Sequence, residues 1–160
     1  MDILDEEILS LWNLLNKQDV KYIMVGGFAT NLHGFSRTTE DLDLWIKDTK
    51  ENRKKFRETL KQLGIGDFAQ LETTDLIPGW SAIALSSGIE LDVMTSLAGF
   101  PADKFDECHQ ISPVAEINNV PVKFLHINQL IEAKKKAARP KDLIDVVELE
   151  KIQKRKPPTQ

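Results

Sequence analysis

The sequence predicts a single α+β (α/β) domain in which a small mixed β-sheet carries acidic side chains on one face and helices pack behind it. Three observations lead there. Segments with apolar residues at three- and four-residue spacing recur between short apolar or alternating runs, the pattern of helices interleaved with strands. Two of the strand-like runs, Asp41 to Ile46 and Ile89 to Met94, alternate acidic and apolar residues with period two. A length of 160 residues with 41% hydrophobic residues supplies one core and not two. The domain is expected over residues 1–155 with 156–160 as a polar tail, the frayed character beginning at Lys154.

In chain order, Asp5 to Gln18 sets Ile8, Leu11, Trp12 and Leu15 on one face of a helix, with Asp2, Asp5, Glu6 and Glu7 at its electropositive end. Tyr22-Ile23-Met24-Val25 reads as a buried strand stopped by Gly26-Gly27, followed by a short helix to about His33. Gly34 to Glu40 is turn-like and delivers the chain into the strand Asp41 to Ile46. Glu51 to Leu63 is an amphipathic helix with Gly64 as its stop. Ser81 to Leu85 and Ile89 to Met94 form a hairpin through Ser86-Ser87-Gly88. A second hairpin pairs Val114 to Ile117 with Val120 to Phe124, because Asn118-Asn119 tolerates positive φ. Leu130, Ile131 and Ala133 lead one helix up to Pro140, and Leu143, Ile144, Val147 and Leu149 lead another that begins just after it.

Composition narrows the function classes. The formal charge of -4 disfavours a general nucleic-acid coat protein, while basic segments near the C-terminus can still meet phosphate. Met1 to Glu7 is acidic where a secretory signal would be basic and then apolar, and no apolar stretch is long enough to span a bilayer, so no membrane role is expected. Cys108 stands alone, which excludes an internal disulfide and suits a cytoplasmic setting. His33, His109 and His126 lack metal-ligand spacing, and a zinc site is not expected. No Gly-x-Ser-x-Gly element supports a hydrolase.

The chemistry concentrates in the acids. Asp41 and Asp43, two apart on a strand, leave the same face while Leu42 and Leu44 pack behind. Carboxylates so close repel one another, and hard oxygen ligands at this spacing suit a magnesium (or manganese) ion with bound triphosphate. Asp92, on another alternating strand, is the candidate third ligand. A calcium loop is excluded, since its sixth position counted from Asp41 is Ile46 and not glycine. Gly26-Gly27, where a strand enters a helix, lets phosphate approach backbone N–H groups, although most such pairs only make turns.

Together, Gly26-Gly27, thirteen intervening residues and Asp41-Leu42-Asp43-Leu44 resemble the signature of the DNA polymerase β-type nucleotidyltransferase superfamily. The resemblance implies that the glycine pair opens the helix beneath a nucleoside triphosphate. It also implies that Asp41, Asp43 and Asp92 hold divalent metal ions, with Asp92 helping to deprotonate the acceptor hydroxyl. The wider string Val25 to Ala29, Leu32-His33-Gly34, Arg37-Thr38-Thr39 and Asp41 to Trp45 resembles minimal nucleotidyltransferases related to the AbiEii toxins of bacterial abortive-infection systems. Lys134, Arg139, Lys141 and Asp142 match that group's basic helical element, so the resemblance spans Tyr22 to Leu149. One departure is Phe28, where the superfamily often has a serine.

The activity implied is transfer of a nucleoside monophosphate from a nucleoside triphosphate to a hydroxyl on RNA or transfer RNA, a protein or a small molecule, with a toxin–antitoxin partner in prospect. The alternative is a non-catalytic nucleotide- or partner-binding module. An enzyme acting on an aminoglycoside would be expected to bring an added substrate domain. For Lys134 and Lys141 a phosphate-binding role and a solvated helix face remain equally open, as do phosphate contact and turn stabilisation for Arg37 and Thr39. Asp142 is expected to cap the last helix. Trp12, Trp45 and Trp80 are expected in the core.

Overall fold

In the computed structural model, described over residues 5–155, Glu6–Lys17 forms α1, Tyr22–Val25 β1, Gly26–Leu32 α2, Asp41–Ile46 β2 and Lys50–Leu63 α3. Ala82–Ala84 (β3) and Glu90–Met94 (β4) follow, then Phe105–Ile111 (α4), Val114–Ile117 (β5), Val120–Lys123 (β6), Ile127–Ala137 (α5) and Pro140–Arg155 (α6). Asp2 and the tail expected at 156–160 lie outside the described residues.

Local chemistry explains the boundaries. Asp5 caps α1 by accepting the Glu7 N–H at 2.9 Å, and the buried stripe is Ile8, Leu11, Trp12 and Leu15. Thr49 Oγ1 caps α3 by accepting the Asn52 N–H at 3.1 Å, and Gly64 ends it at φ +84°. Asn52 then ties the strands together: its Oδ1 accepts the Lys21 N–H at 2.7 Å while its amide donates to the Lys21 and Lys47 carbonyls. Asn118 and Asn119 both adopt positive φ in the turn between β5 and β6.

The main sheet has the order β1-β2-β4-β3, with β2 and β4 parallel and both outer pairs antiparallel. Leu42, Leu44, Leu91 and Val93 occupy one face of the central pair and are fully buried. α2 packs against β2, α1 on α3, and α5 on α6. The β5–β6 hairpin reaches the free edge of β1, where the Leu125 N–H donates to the Met24 carbonyl at 3.0 Å. This contact brings α5 to the end of the sheet where β1 runs into α2. Among the described residues, no helix is long and apolar enough to cross a membrane.

Several expectations change. α4 and the 3-10 turns at Ala69–Glu72 and Ala102–Lys104 carry too few apolar positions to show a period, although Phe105 of α4 packs edge-on against Trp45 at 5.3 Å. Lys154 and Arg155 belong to α6 and not to a frayed end. Trp12 and Trp45 are core residues, but Trp80 is 85% exposed, because it sits on a turn that precedes β3.

The turn between α5 and α6 is strained. Ala138 ends α5 at φ +53°, a left-handed conformation that costs a non-glycine residue about 1–2 kcal/mol. Ala138→Gly should therefore raise stability by roughly 0.5–1 kcal/mol, net of the extra freedom of the unfolded chain. Urea denaturation checks this, and a lowered midpoint would contradict the assigned conformation.

Candidate active site

The parallel register of β2 and β4 sets Asp43 beside Asp92 and Asp41 beside Glu90. Since side chains alternate, Asp41 and Asp43 share the face opposite the buried leucines, and Asp92 joins them from the neighbouring strand. Burial, then the charges of Asp92 and Asp41, push the Asp43 carboxyl up to about 7, and Lys141 and Lys134 only partly offset them. Burial likewise raises Asp92. The Gly79 N–H, donating to its Oδ2 at 2.7 Å, works against that, and the Asp41 charge adds to it. Its other oxygen, Oδ1, is buried without a hydrogen-bond partner.

The glycine pair lets this cluster sit close to α2. Gly26 has φ +71°, and a Cβ there would collide with Asp43 Oδ2. A Cβ at Gly27 would meet Thr39, whose own Cβ lies 2.9 Å from that position. The missing side chains are thus needed for the approach of β2 and of the loop before it.

A cleft of about 410 Å³ opens on the acids. Asp41, Asp43 and Asp92 form one wall, Pro78 and Gly79 a lip, and Lys134, Arg139, Lys141 and Asp142 another wall; Met94, Leu97 and Leu130 add apolar surface. An adjoining cleft of about 300 Å³ shares Gly26, Asp41, Asp43 and the α5–α6 residues and adds Gly27, Arg37 and Thr39. Every residue singled out in the sequence for metal or nucleotide therefore lines one of two contiguous clefts.

The cations differ in their freedom. Arg37 forms a two-pronged ion pair with Asp145, at 2.7 and 2.8 Å. Lys134 is buried, its Nζ 2.8 Å from Asp145 Oδ2 and 3.9 Å from Asp142 Oδ1. Asp142 also accepts from the Arg139 guanidinium at 2.7 Å and from the Arg139 backbone N–H at 3.2 Å, so it caps α6 while belonging to the ion network. Lys141 has no ion-pair partner within 4.0 Å among the described residues. Thr39 Oγ1 lies 3.4 Å from the Asp41 carbonyl.

Asp145 and Gly79 were not singled out in the sequence. Asp145 could have been found as an acid on the apolar face of α6, one turn from Leu149, whereas the role of Gly79 comes from a loop with no local signal. Burial opposes ionisation of Asp145, but the hydrogen bonds from Arg37 and Lys134 outweigh it and hold the carboxyl below the ordinary range.

Among the described residues, no three His, Cys, Asp or Glu side chains form a ready-made cage for an ion. Magnesium does not need one, because it is typically held by one or two carboxylates together with substrate phosphates and water. The hard oxygens of Asp41 and Asp43 and the unpartnered Asp92 Oδ1 fit an ion that arrives with a triphosphate.

Asp145→Asn should cost about 3–5 kcal/mol at neutral pH, since it leaves Lys134 buried with its main partner gone. Because the folded carboxyl titrates below its unfolded value, this contribution is present above the ordinary carboxylate range and lost as pH falls through the folded value. Urea titrations of both proteins at neutral and strongly acid pH check it. A penalty that persists undiminished in acid would contradict the assignment.

Comparison with known proteins adds a fold and a family. An antigenic nucleotidyltransferase-like protein from Paracoccidioides brasiliensis aligns with TM-score 0.52 and 20% identity over 91% of this chain and 74% of its own. A candidate nucleotidyltransferase from Thermotoga maritima aligns with TM-score 0.56 and 14% identity over 90% and 86%. ANT(2'')-Ia, solved in complex with adenylyl-2''-tobramycin, aligns with TM-score 0.54 and 16% identity over 91% and 90%. At these identities the likeness concerns the fold. The shared fold covers 90% of the ANT(2'')-Ia chain in that complex and 80% of the chain in its solution structure. No curated protein sequence matches the chain. A family profile described as nucleotidyltransferase of unknown function (DUF6036) matches residues 1–155, and the chain belongs to that family.

Proposed function

We propose that the protein transfers a nucleoside monophosphate from a nucleoside triphosphate to a hydroxyl-bearing acceptor and releases pyrophosphate. The observation that carries this reading is the β2–β4 register, which sets Asp43 against Asp92 with Asp41 on the same face, all three lining the cleft. Asp41, Asp43 and Asp92 would hold magnesium or manganese, which when bound neutralises phosphate charge and favours ionisation of the acceptor hydroxyl.

The remaining steps belong to the chain. The acceptor oxygen bonds to the α-phosphorus as the bond from that phosphorus to the pyrophosphate oxygen breaks. The hydroxyl proton passes to Asp92, whose Oδ1 is buried without a hydrogen-bond partner. The triphosphate lies over Gly26-Gly27, with Phe28 in place of serine leaving its contacts to the backbone, and Lys141 and Arg139 receive the leaving pyrophosphate. Arg37 and Lys134 act one step back, held by Asp145.

The Lys134, Arg139, Lys141 and Asp142 element supports reading the protein as a relative of the AbiEii-related group that acts with a cognate toxin–antitoxin partner. The acceptor is RNA or transfer RNA, a protein or a small molecule. The adenylyl-2''-tobramycin complex of ANT(2'')-Ia supports keeping the last, since the shared fold covers 90% of that chain.

Each α-labelled nucleoside triphosphate, supplied with magnesium or manganese, total RNA, a protein extract and the enzyme alone, tests the reaction. Asp43→Asn should lower transfer at least ~100-fold while leaving the fold intact. Full activity in that variant would sink the assignment. No label anywhere, with no metal-dependent nucleotide binding by calorimetry, would favour a non-catalytic module. Gly26→Ala should also abolish transfer, because its methyl group displaces the Asp43 carboxylate. Activity within twofold of the original would contradict the role given to that contact.

A further inference from the structure

We infer that the turn Ile77 to Trp80 is the acceptor-recognition element, and that the acceptor presents a flat nucleobase beside the hydroxyl it offers. The inference rests on the transferase reading of the acid cluster. Trp80 is the most exposed of the large apolar side chains among the described residues, at 85%, and Ile77 on the same turn is 51% exposed. An exposed indole offers a flat apolar face with a polar N–H, the kind of surface that stacks on a ligand.

The turn is built and not slack. The Trp80 N–H donates to the Ile77 carbonyl at 3.0 Å, the Ile77 N–H to Ser81 Oγ at 3.0 Å, and Gly79 adopts φ +80°. Its Gly79 N–H holds Asp92 Oδ2, so Trp80 directly follows in the chain the residue that anchors the third carboxylate. Pro78 and Gly79 line the cleft, and Ile77 and Trp80 flank them just outside its lining.

Sheet order separates donor from acceptor. The glycine pair follows β1 at one edge, whereas Trp80 leads through Ser81 into β3 at the other, with the acids on β2 and β4 between them. A triphosphate over Gly26-Gly27 therefore leaves the Trp80 side to the acceptor. An indole face suits a base, and base stacking on an aromatic side chain changes affinity by roughly 5- to 140-fold. Arg139 and Lys141 on the opposite cleft wall can meet the phosphate of such an acceptor and would repel a polycation.

Trp12 and Trp45 are fully buried, so emission accessible to acrylamide reports Trp80. The intact protein is titrated with a short oligoribonucleotide bearing a free 3'-hydroxyl, with a nucleoside monophosphate, with tobramycin, and with a nucleoside triphosphate plus magnesium. Label transfer to the nucleotide probes is followed in parallel. The expected result is at least twofold protection from quenching by the nucleotide acceptors. Protection by the oligonucleotide alone identifies a nucleic-acid end, and protection by both identifies free nucleotides as well. Trp80→Ala should raise the acceptor KM about 10-fold with the donor KM within twofold, and Trp80→Phe should recover most of the loss. Protection by tobramycin or by the triphosphate alone, or none from the nucleotide acceptors, overturns the inference. No protection with transfer intact leaves the transferase reading standing, whereas protection without transfer to either nucleotide probe overturns the acceptor role and leaves the transferase reading to the label-transfer survey above.

Discussion

Like charge held against like charge in the β2–β4 register is the constraint on which the rest of the structure depends. Asp43 and Asp92 are paired positions in a parallel ladder, and the strand period returns Asp41 to the same face. The carboxylates cannot drift apart, because Leu42, Leu44, Leu91 and Val93 are fully buried on the reverse face. A one-residue slip would carry those side chains to the cleft and the acids into the core. The packing of the core therefore maintains the repulsion.

The neighbouring elements are arranged around that cost. Glycines at 26 and 27 allow α2 to approach Asp43 and Thr39, which no residue with a Cβ would permit. The chain Arg37–Asp145–Lys134–Asp142–Arg139 links the loop before β2 to α5 and α6, placing cations along the cleft while pairing most of them with acids. Removing Asp145 would leave the buried Lys134 without its 2.8 Å partner, so the network fixes where the basic wall stands. Lys141 has no such partner among the described residues and is the cation left to answer an incoming anion.

Much of this was legible in the sequence for identifiable reasons. β1 and β2 have the expected limits, because an all-apolar run ending in Gly26-Gly27 and a strict acid–leucine alternation are strong signals. The glycine stop at Gly64, the Asn118-Asn119 turn and Pro140 at the start of α6 are punctuation with a steric cause. Spacing and resemblance point to the nine site residues, and the fold brings them to adjoining clefts. Asp145 escaped notice because its meaning depends on Arg37, 108 positions away. The anchoring of Asp92 by Gly79 is a backbone contact from an irregular loop, and Trp80 was assigned to the core because residue type alone says nothing of a turn that displays it. α4, seven residues long, is too short to carry a period.

The pH dependence of metal-free stability tests the central claim most directly. The folded Asp43 carboxyl titrates near 7 against an ordinary value of 3.8, so between these values the folded state binds more protons than the unfolded chain. Stability must then fall as pH rises through that window, by on the order of 4 kcal/mol from this group. Urea unfolding from pH 4 to 8, compared between the original protein and Asp43→Asn, isolates the effect. The original protein should lose stability relative to the variant across this range, and magnesium should restore it in the original alone. A difference that stays flat with pH would mean that the Asp43 carboxyl is neither buried nor confronted by Asp92 and Asp41, and would contradict the assembly of the site described above.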